Sequence, residues 1–574
     1  MAKLKGIEDF IQKEIAKIGY EIDSVSLEEC SIKELGQFQL NFAMKLSKIY
    51  HKSPRDIAEE VKRVLDVRFK NVNIAGPGFI NLSLKDEELL EYANEYINDF
   101  EKYIEYEKPK TIVVDYGGAN AAKALHVGHM RSANIGEALK RLAKLFGNKV
   151  IGDVHLGDLG RQSGMLISQL MEEQPDLVFF DKNYKGEYPK INLTIEDLGR
   201  MYKIANAKAK EDETRMELVR DITLEIDKGN VAYTNLWKQI VEISEPTIKK
   251  VYNELNCTFD LWEGELSSMQ YVDETLKVLK DYLYESEGAL VIDVTKDDDK
   301  LSIPPLIVIK TNGATIYATR DLATIYNRVN KINPDEFWYV VDDRQSMYFE
   351  QVFRASYKTS LVRNDVALKF LGFGTINGTD GKPFKTRSGE VMELSSLISM
   401  VKEEITKKVK DEISDDRKED IINNLTIATL KYADLLSYRK TDYVFDLVKF
   451  SSFEGKTGPY ILYGIVRIKS LLKKLDIENS RFNNIPNDDV RDIILSSIKL
   501  SKVLNLSYRE ATLNYITDYL FEITNLFNKF YNNNNILNEK DKDTQETYIA
   551  LLKFVYNICH NLLNILAINE VDEM

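Results

Sequence analysis

The sequence predicts an α/β protein: a Rossmann-type parallel-sheet domain with a helical insertion, preceded by an N-terminal α+β domain and followed by a C-terminal all-α bundle. Three observations carry this reading. A strand, a glycine-containing loop, a helix and a second strand follow one another from Thr111; a charged, helix-patterned stretch separates these strands from later ones; and near residue 395 the pattern becomes almost wholly helical. At 574 residues the chain exceeds what one hydrophobic core organises, so several domains are expected. The boundaries read as 1–108, 109–395 with an insertion at about 165–285, and 396–574.

In chain order, Ile57–Leu65 has helical periodicity, whereas Gly78–Leu84 alternates apolar and polar residues as a strand does. The charged run Glu101–Lys110 marks the first boundary. Thr111–Tyr116 is β-rich and ends at Gly117-Gly118. The following helix repeats Ile135, Ala138, Leu139, Leu142 and Phe146 at three- and four-residue steps before Gly147, a suitable C-cap, and Lys149–Gly152 is the next strand. Leu306–Ile309, Glu336–Val341 and Leu368–Phe373 are further strand candidates. In the helical remainder, Ile485–Asp489 and Asn532–Asn535 read as interhelical turns.

Composition narrows the class. The start Met1–Gly6 lacks an apolar leader and no stretch approaches the roughly 18 apolar residues a membrane span needs, so a cytoplasmic protein without a membrane partner is expected. Cys30, Cys257 and Cys559 lie far apart with no CxxC pair, which argues against zinc and a disulfide framework and reads as buried small apolar groups; no protein metal site is expected. The net charge of −14 is an average over 77 basic residues, and it neither supports nor excludes an RNA partner.

Three of the five histidines, His126, His129 and His155, fall around the first strand–helix–strand unit. In His126-Val127-Gly128-His129 the two histidines flank a glycine where a loop enters a helix, whose free N–H groups favour phosphate. An imidazole donor there suits charge developing on a transferring nucleotide; helix capping and a metal-ligand pair are the competing readings. The longer run Asp115–Ser132 resembles the signature of class I aminoacyl-tRNA synthetases in the extended form of the arginyl enzymes, with Asn120 six residues and Lys123 three residues before the first histidine. The similarity continues through His155–Gly164, Tyr317–Ala323, Val340–Gln345, Gly381–Gly389 and Lys431–Leu435. Ala75–Asn81 looks like the N-terminal domain of that family, so nearly the whole chain is covered.

The resemblance implies an ATP-dependent aminoacyl-tRNA ligase using L-arginine, ATP with Mg²⁺, and the tRNA specific for arginine, and acting as a monomer. Asp115 and Asn120 are expected to hold the α-amino end of arginine; the family often has Glu at the position of Asp115. Asp321 with Tyr317 is expected to take the guanidinium, with Gln345 and His126 completing the pocket, because a planar guanidinium needs fixed carboxylates. A pocket of buried charges also rejects lysine or citrulline without an editing domain. Alone, Asp321 reads as a surface ion pair with Arg320, and Tyr317 as a half-buried core aromatic.

Lys123, His126, Gly128, His129 and Lys385 are the expected ATP contacts. Lys385 and Arg387 read as phosphate clamps, although their loop shares only basic character with the KMSKS loop of the class, and Lys123 is expected to supply part of that charge. The family further implies transfer to the 2′-hydroxyl, tRNA bound before activation, and anticodon reading by the C-terminal bundle. Tyr460 and Tyr463 are candidates there, with helix packing as their alternative. Three other functions compete with this one. A class I synthetase for another amino acid requires Asp115, Tyr317, Asp321 and Gln345 to be apart; a non-catalytic RNA-binding relative has no need of His126, His129 and Lys123; a nucleotidyltransferase without RNA has no use for the end domains.

Overall fold

The structure, a computed structural model, describes residues 3–384, 392–409, 414–475 and 480–574. It contains two compact units. One is Lys108–Ser451 with Ile565–Ile568; the other is Met1–Glu107 with Ser452–Asn564 and Asn569–Met574.

The first unit is organised by a four-stranded parallel sheet. In chain order its elements are β1 (Thr111–Asp115), α1 (Val127–Leu145), β2 (Lys149–Asp153), α2 (Tyr317–Ile332), β3 (Glu336–Tyr339), α3 (Ser346–Lys358) and β4 (Ala367–Phe370). The strand order is β4-β3-β1-β2. Asp115 is level with Asp153 on one side and with Tyr339 on the other. β1 and β3 are central and buried, as expected of strands covered by helices on both faces. On one face, Leu322 and Ile325 of α2 and Val352 and Phe353 of α3 pack with Val113, Phe337 and Tyr339. The chain leaves β1 toward β2 and returns on the other side as β3, so the order reverses between β1 and β3. The crevice outside the carboxyl ends of these two strands is where such sheets bind ligands.

Leu306–Ile309 is a strand, but it does not join this sheet. It pairs in an antiparallel sheet with Ala289–Ile292, which in turn pairs with Leu283–Ser286. The reason is visible in burial: Ile307 is 45% exposed beside fully buried Val308, a one-sided pattern suited to an antiparallel sheet with a wet face. The insertion is helical, with Arg161–Glu173, Ile195–Glu211, Glu213–Asp227 and Val231–Glu254 burying Leu166, Leu170, Leu198, Met201, Ile222, Trp237 and Ile240.

Helices Leu394–Thr406 and Asp415–Leu435 cluster with the sheet unit, so the helical patterning that reads as one domain from residue 396 is divided near residue 451. Buried polar contacts account for this. Asn134 on α1 donates to Asp434 at 2.9 Å, and Arg131 pairs with the same carboxylate at 3.6 Å while donating to the carbonyls of Thr375, Arg439 and Thr441. Removing one partner of such a pair strands a buried charge and costs about 3–5 kcal/mol.

In the second unit a four-stranded antiparallel sheet carries the N-terminal helices. Its hairpin, Asn71–Ala75 to Phe79–Ser83, turns at Gly76-Pro77-Gly78. Gly78 has φ +143°, and a Cβ there would lie 2.8 Å from the Pro54 carbonyl oxygen. The helices after residue 452 pack on this part: Arg491 pairs with Asp86 at 2.7 Å, Ser497 donates to Tyr92, and Asn94 exchanges two hydrogen bonds with the backbone of Phe482. Asn533 and Asn534 close the turn after helix Asn514–Asn533 by donating to Asp489. The three cysteines are buried and unbridged. Among the described residues no helix is long and apolar enough to cross a membrane.

Candidate active site

The loop after β1 delivers the chain to the N-terminus of α1. His126 is the N-cap, extended at φ −112° and ψ 170°, and its Nδ1 accepts from Gly128 N at 3.1 Å. Reciprocally, His126 N donates to Nδ1 of His129 at 3.0 Å, and the two rings stack with centroids 3.7 Å apart. The histidines therefore do cap the helix, which leaves their other nitrogens for chemistry. A neutral imidazole whose Nδ1 accepts carries its proton on Nε2, so both rings are locked as Nε2 donors. Burial and the charge of Lys123 hold both below the usual histidine range, His129 at about 3 with His126 adding to the shift. They are neutral donors, not cations.

Two features fix this helix end. Ser132 accepts from Gly117 N and donates to the Val340 carbonyl, tying α1 to the segments that follow β1 and β3. Leu125 and Val127 exchange backbone hydrogen bonds with Leu394 and Met392, the chain just beyond the basic loop. Lys385 and Arg387 lie outside the described residues. Lys123 is exposed with its ammonium 4.8 Å from the Tyr202 ring, and Gly128 is exposed beside the His126 ring.

The second half of the site is acidic. Asp115 ends β1 and is buried; its Oδ2 accepts from Arg328 at 3.1 Å, and the same guanidinium pairs with Asp153 at the end of β2. Burial raises the Asp115 pKa against the opposing pull of Arg328 and His155. Asn120 runs beside Gly157, and a Cβ on Gly157 would lie 2.6 Å from Asn120 Oδ1, so a larger residue there would displace the Asn120 amide.

On α2, Tyr317 and Asp321 stand one turn apart on one face. Asp321 accepts from the Tyr348 hydroxyl and lies 3.6 Å from His155 Nε2. Arg320 is not its partner: that side chain is buried and pairs with Glu265 at 2.8 Å and Asp227 at 3.8 Å. Tyr317 is 58% exposed beside Gly160, not a core aromatic. Gln345 is exposed on the short turn Asp343–Gln345 that leads into α3.

The fold thus brings Lys123, His126 and His129 together at one helix end, and sets Asp115 against Arg328 and Asp321 against His155. Sequence reasoning missed Asp153, Arg328 and Tyr348. Arg328 had a usable signal, since it lies seven residues after Asp321 and so on the same face of α2; Asp153 had another, as the last residue of the strand beside β1. Tyr460 and Tyr463 belong to the other unit and are engaged there. The Tyr460 hydroxyl donates to Asn525 at 2.5 Å and accepts from Asn528, while Arg467 stacks 4.4 Å from the Tyr463 ring.

Comparison with known proteins agrees across the chain. Residues 93–447 match the family described as tRNA synthetases class I (R), catalytic domain; residues 5–84 match the arginyl tRNA synthetase N terminal domain; and residues 461–574 match the DALR anticodon binding domain. The chain is 42% identical to an arginine–tRNA ligase of Alkaliphilus oremlandii, covering 100% of this chain and 99% of the relative. It is 40% identical to one of Agathobacter rectalis, covering 99% of each. Its fold is similar to the solved arginyl-tRNA synthetase of Plasmodium falciparum, with a TM-score of 0.82 at 21% identity, covering 100% of this chain and 99% of that one. The Thermus thermophilus enzyme gives 0.78 at 19% identity over the whole of both chains.

Proposed function

The chain belongs to the arginyl-tRNA synthetase family of class I and is an arginine–tRNA ligase, and we propose that it works at the carboxyl edge of its parallel sheet through the residues gathered there. It activates L-arginine with ATP to arginyl-adenylate, then transfers arginine to the 3′-terminal adenosine of the tRNA specific for arginine, releasing AMP and pyrophosphate.

In the first step the arginine carboxylate attacks the α-phosphorus of ATP, which arrives as its Mg²⁺ complex, and pyrophosphate leaves. No protein nucleophile takes part. His126 and His129 donate from Nε2 to the phosphate oxygens as negative charge gathers, beside the α1 N-terminus; Lys123, Lys385 and Arg387 add positive charge. The guanidinium pairs with Asp321, with Tyr317 and Gln345 over it, and the α-ammonium sits at Asp115 Oδ1 and Asn120. The second step is attack of the ribose 2′-hydroxyl on the adenylate carbonyl, which again rests on alignment.

The observation that carries this assignment is Asp321: a carboxylate at the mouth of the crevice, held by Tyr348, while its neighbour Arg320 is engaged elsewhere. We read the C-terminal helices as gripping the anticodon loop and the N-terminal domain as gripping the outer corner of the tRNA, with a monomer acting in the cytosol. Tyr460 and Tyr463 read as packing groups of the anticodon domain. Exchange of labelled pyrophosphate into ATP tests the whole scheme. Exchange with arginine alone among the amino acids, and only when tRNA is present, is expected; exchange with another amino acid overturns the pocket assignment.

A further inference from the structure

His155 is the one histidine of the first strand–helix–strand unit that the mechanism leaves unused. It follows β2 with φ +39°, a left-handed conformation uncommon outside glycine though open to histidine, and its N–H is fixed to Asp153 Oδ1 at 2.9 Å. That turn drives the ring into the crevice, where both ring nitrogens are buried and neither has a hydrogen-bond partner among the described residues. An imidazole with two buried, unpartnered nitrogens is costly unless a ligand or a charge answers it. The Asp321 carboxylate, 3.6 Å from Nε2, supplies the charge but is too distant for a hydrogen bond.

The surroundings are acidic from every side. Asp115 faces His155 from β1, Asp153 from β2, Asp321 from α2, and Asp158 and Glu265 from the segments that follow. Against these five carboxylates stand two guanidiniums, Arg328 and Arg320, with Tyr348 on Asp321 from α3. Burial raises Glu265 to about 7, so it is partly protonated near neutrality, but Asp321 has no guanidinium partner among the described residues, and the substrate brings a cation to the carboxylate that His155 faces.

We propose that His155 is the internal stand-in for the substrate guanidinium: as an imidazolium it neutralises Asp321 in the empty pocket, and it loses its Nε2 proton to solvent when arginine binds. The neutral ring then accepts an N–H of the guanidinium that has taken the carboxylate. Arginine binding is thereby coupled to release of one proton, and Asp321 faces one cation both with and without arginine. This rests on the assignment of Asp321 to the guanidinium. The electrostatics agree. Burial disfavours the imidazolium, but Asp321, Asp115 and Asp153 outweigh burial and Arg328 and raise His155 to about 9, whereas a second cation beside it disfavours the charged ring. A neutral ureido analogue of arginine cannot displace the proton.

The test is calorimetric titration of arginine into the full-length enzyme at one pH near 7.5 in two buffers of different ionisation enthalpy, which counts protons. The wild type is expected to release most of one proton per arginine, and its Kd to tighten by up to roughly tenfold per pH increment between about pH 7 and 8. His155→Gln is expected to bind arginine with no release and a flat Kd. No release by the wild type, or equal release by the variant, overturns the coupling. If His155→Gln does not fold, the wild type labelled at histidine Cε1 answers instead. The resonance of His155, one of five, must move from the imidazolium to the neutral position when arginine is added, and an unmoved resonance overturns the proposal. Asp321→Asn separates the premise from the inference. Unchanged arginine affinity in that variant ends the guanidinium assignment and the coupling with it. Lost affinity there, with no proton released by the wild type, ends the coupling alone.

Discussion

Two ends of one crevice treat the same side chain in opposite ways. At the α1 N-terminus, burial above all and the charge of Lys123 disfavour a proton on His126 and His129, and His126 adds to the effect on His129, which is held at about 3. Past β2, His155 lies among carboxylates and is raised to about 9. The lesson is that the residue type fixes neither charge nor role. In the proposed scheme, neutral Nε2 donors suit the end that receives ATP, because they polarise phosphate oxygens without adding charge of their own. In the same scheme, an imidazolium suits the end assigned to the cationic substrate.

The largest effect expected is at the acidic end. Asp321→Asn preserves shape and an acceptor for Tyr348 but removes the charge, and kcat/KM for arginine should fall on the order of a thousandfold, about 4 kcal/mol. A fall of less than tenfold would mean that Asp115, not Asp321, carries the guanidinium.

The opposite tuning should next appear in stability. His129, lowered in the folded state, contributes stability that is full above its unfolded pKa near 6.5 and is lost as pH falls toward about 3, a range worth on the order of 5 kcal/mol. His155, raised in the folded state, contributes stability that is full below about 6.5 and is lost as pH rises through about 9, on the order of 3 kcal/mol. Thermal midpoints across pH should therefore show His129→Asn flattening the acid limb and His155→Gln flattening the alkaline limb. The contrast between the two ends collapses if both variants flatten the same limb.

A smaller effect isolates the chemistry of the neutral end. His129→Asn keeps an acceptor for the His126 N–H but loses the Nε2 donor, and kcat should drop about a hundredfold with the arginine KM within about threefold. His129→Gln, whose amide nitrogen reaches nearer the Nε2 position, should recover part of this. Equal losses in both variants would assign the histidine to capping rather than to phosphate. The smallest effect belongs to the other unit. Tyr460→Phe leaves Asn525 and Asn528 short of one partner, and should cost about 1 kcal/mol of stability with less than about threefold change in the KM for tRNA. A tenfold rise in that KM would instead make the tyrosine an RNA contact.

Much of this was legible in the sequence because it is local. The strand–loop–helix–strand unit follows from periodicity and the helix end at His126-Val127-Gly128-His129 from the position of a loop ahead of a helical repeat, whereas the pairing of Tyr317 with Asp321 rested on the family resemblance. Which sheet Leu306–Ile309 joins, where the all-helical remainder divides, the pairing of Arg328 with Asp115 and Asp153, and the different charge states of His129 and His155 were decided only by the tertiary structure. Each depends on groups distant along the chain: Asp321 reaches His155 from well over a hundred residues away, and Asp434 reaches Arg131 from 300 residues past its partner Asn134. Charge state is set by distance to other charges and by the exclusion of water, and neither exists for a histidine until the strands that carry it have been brought side by side.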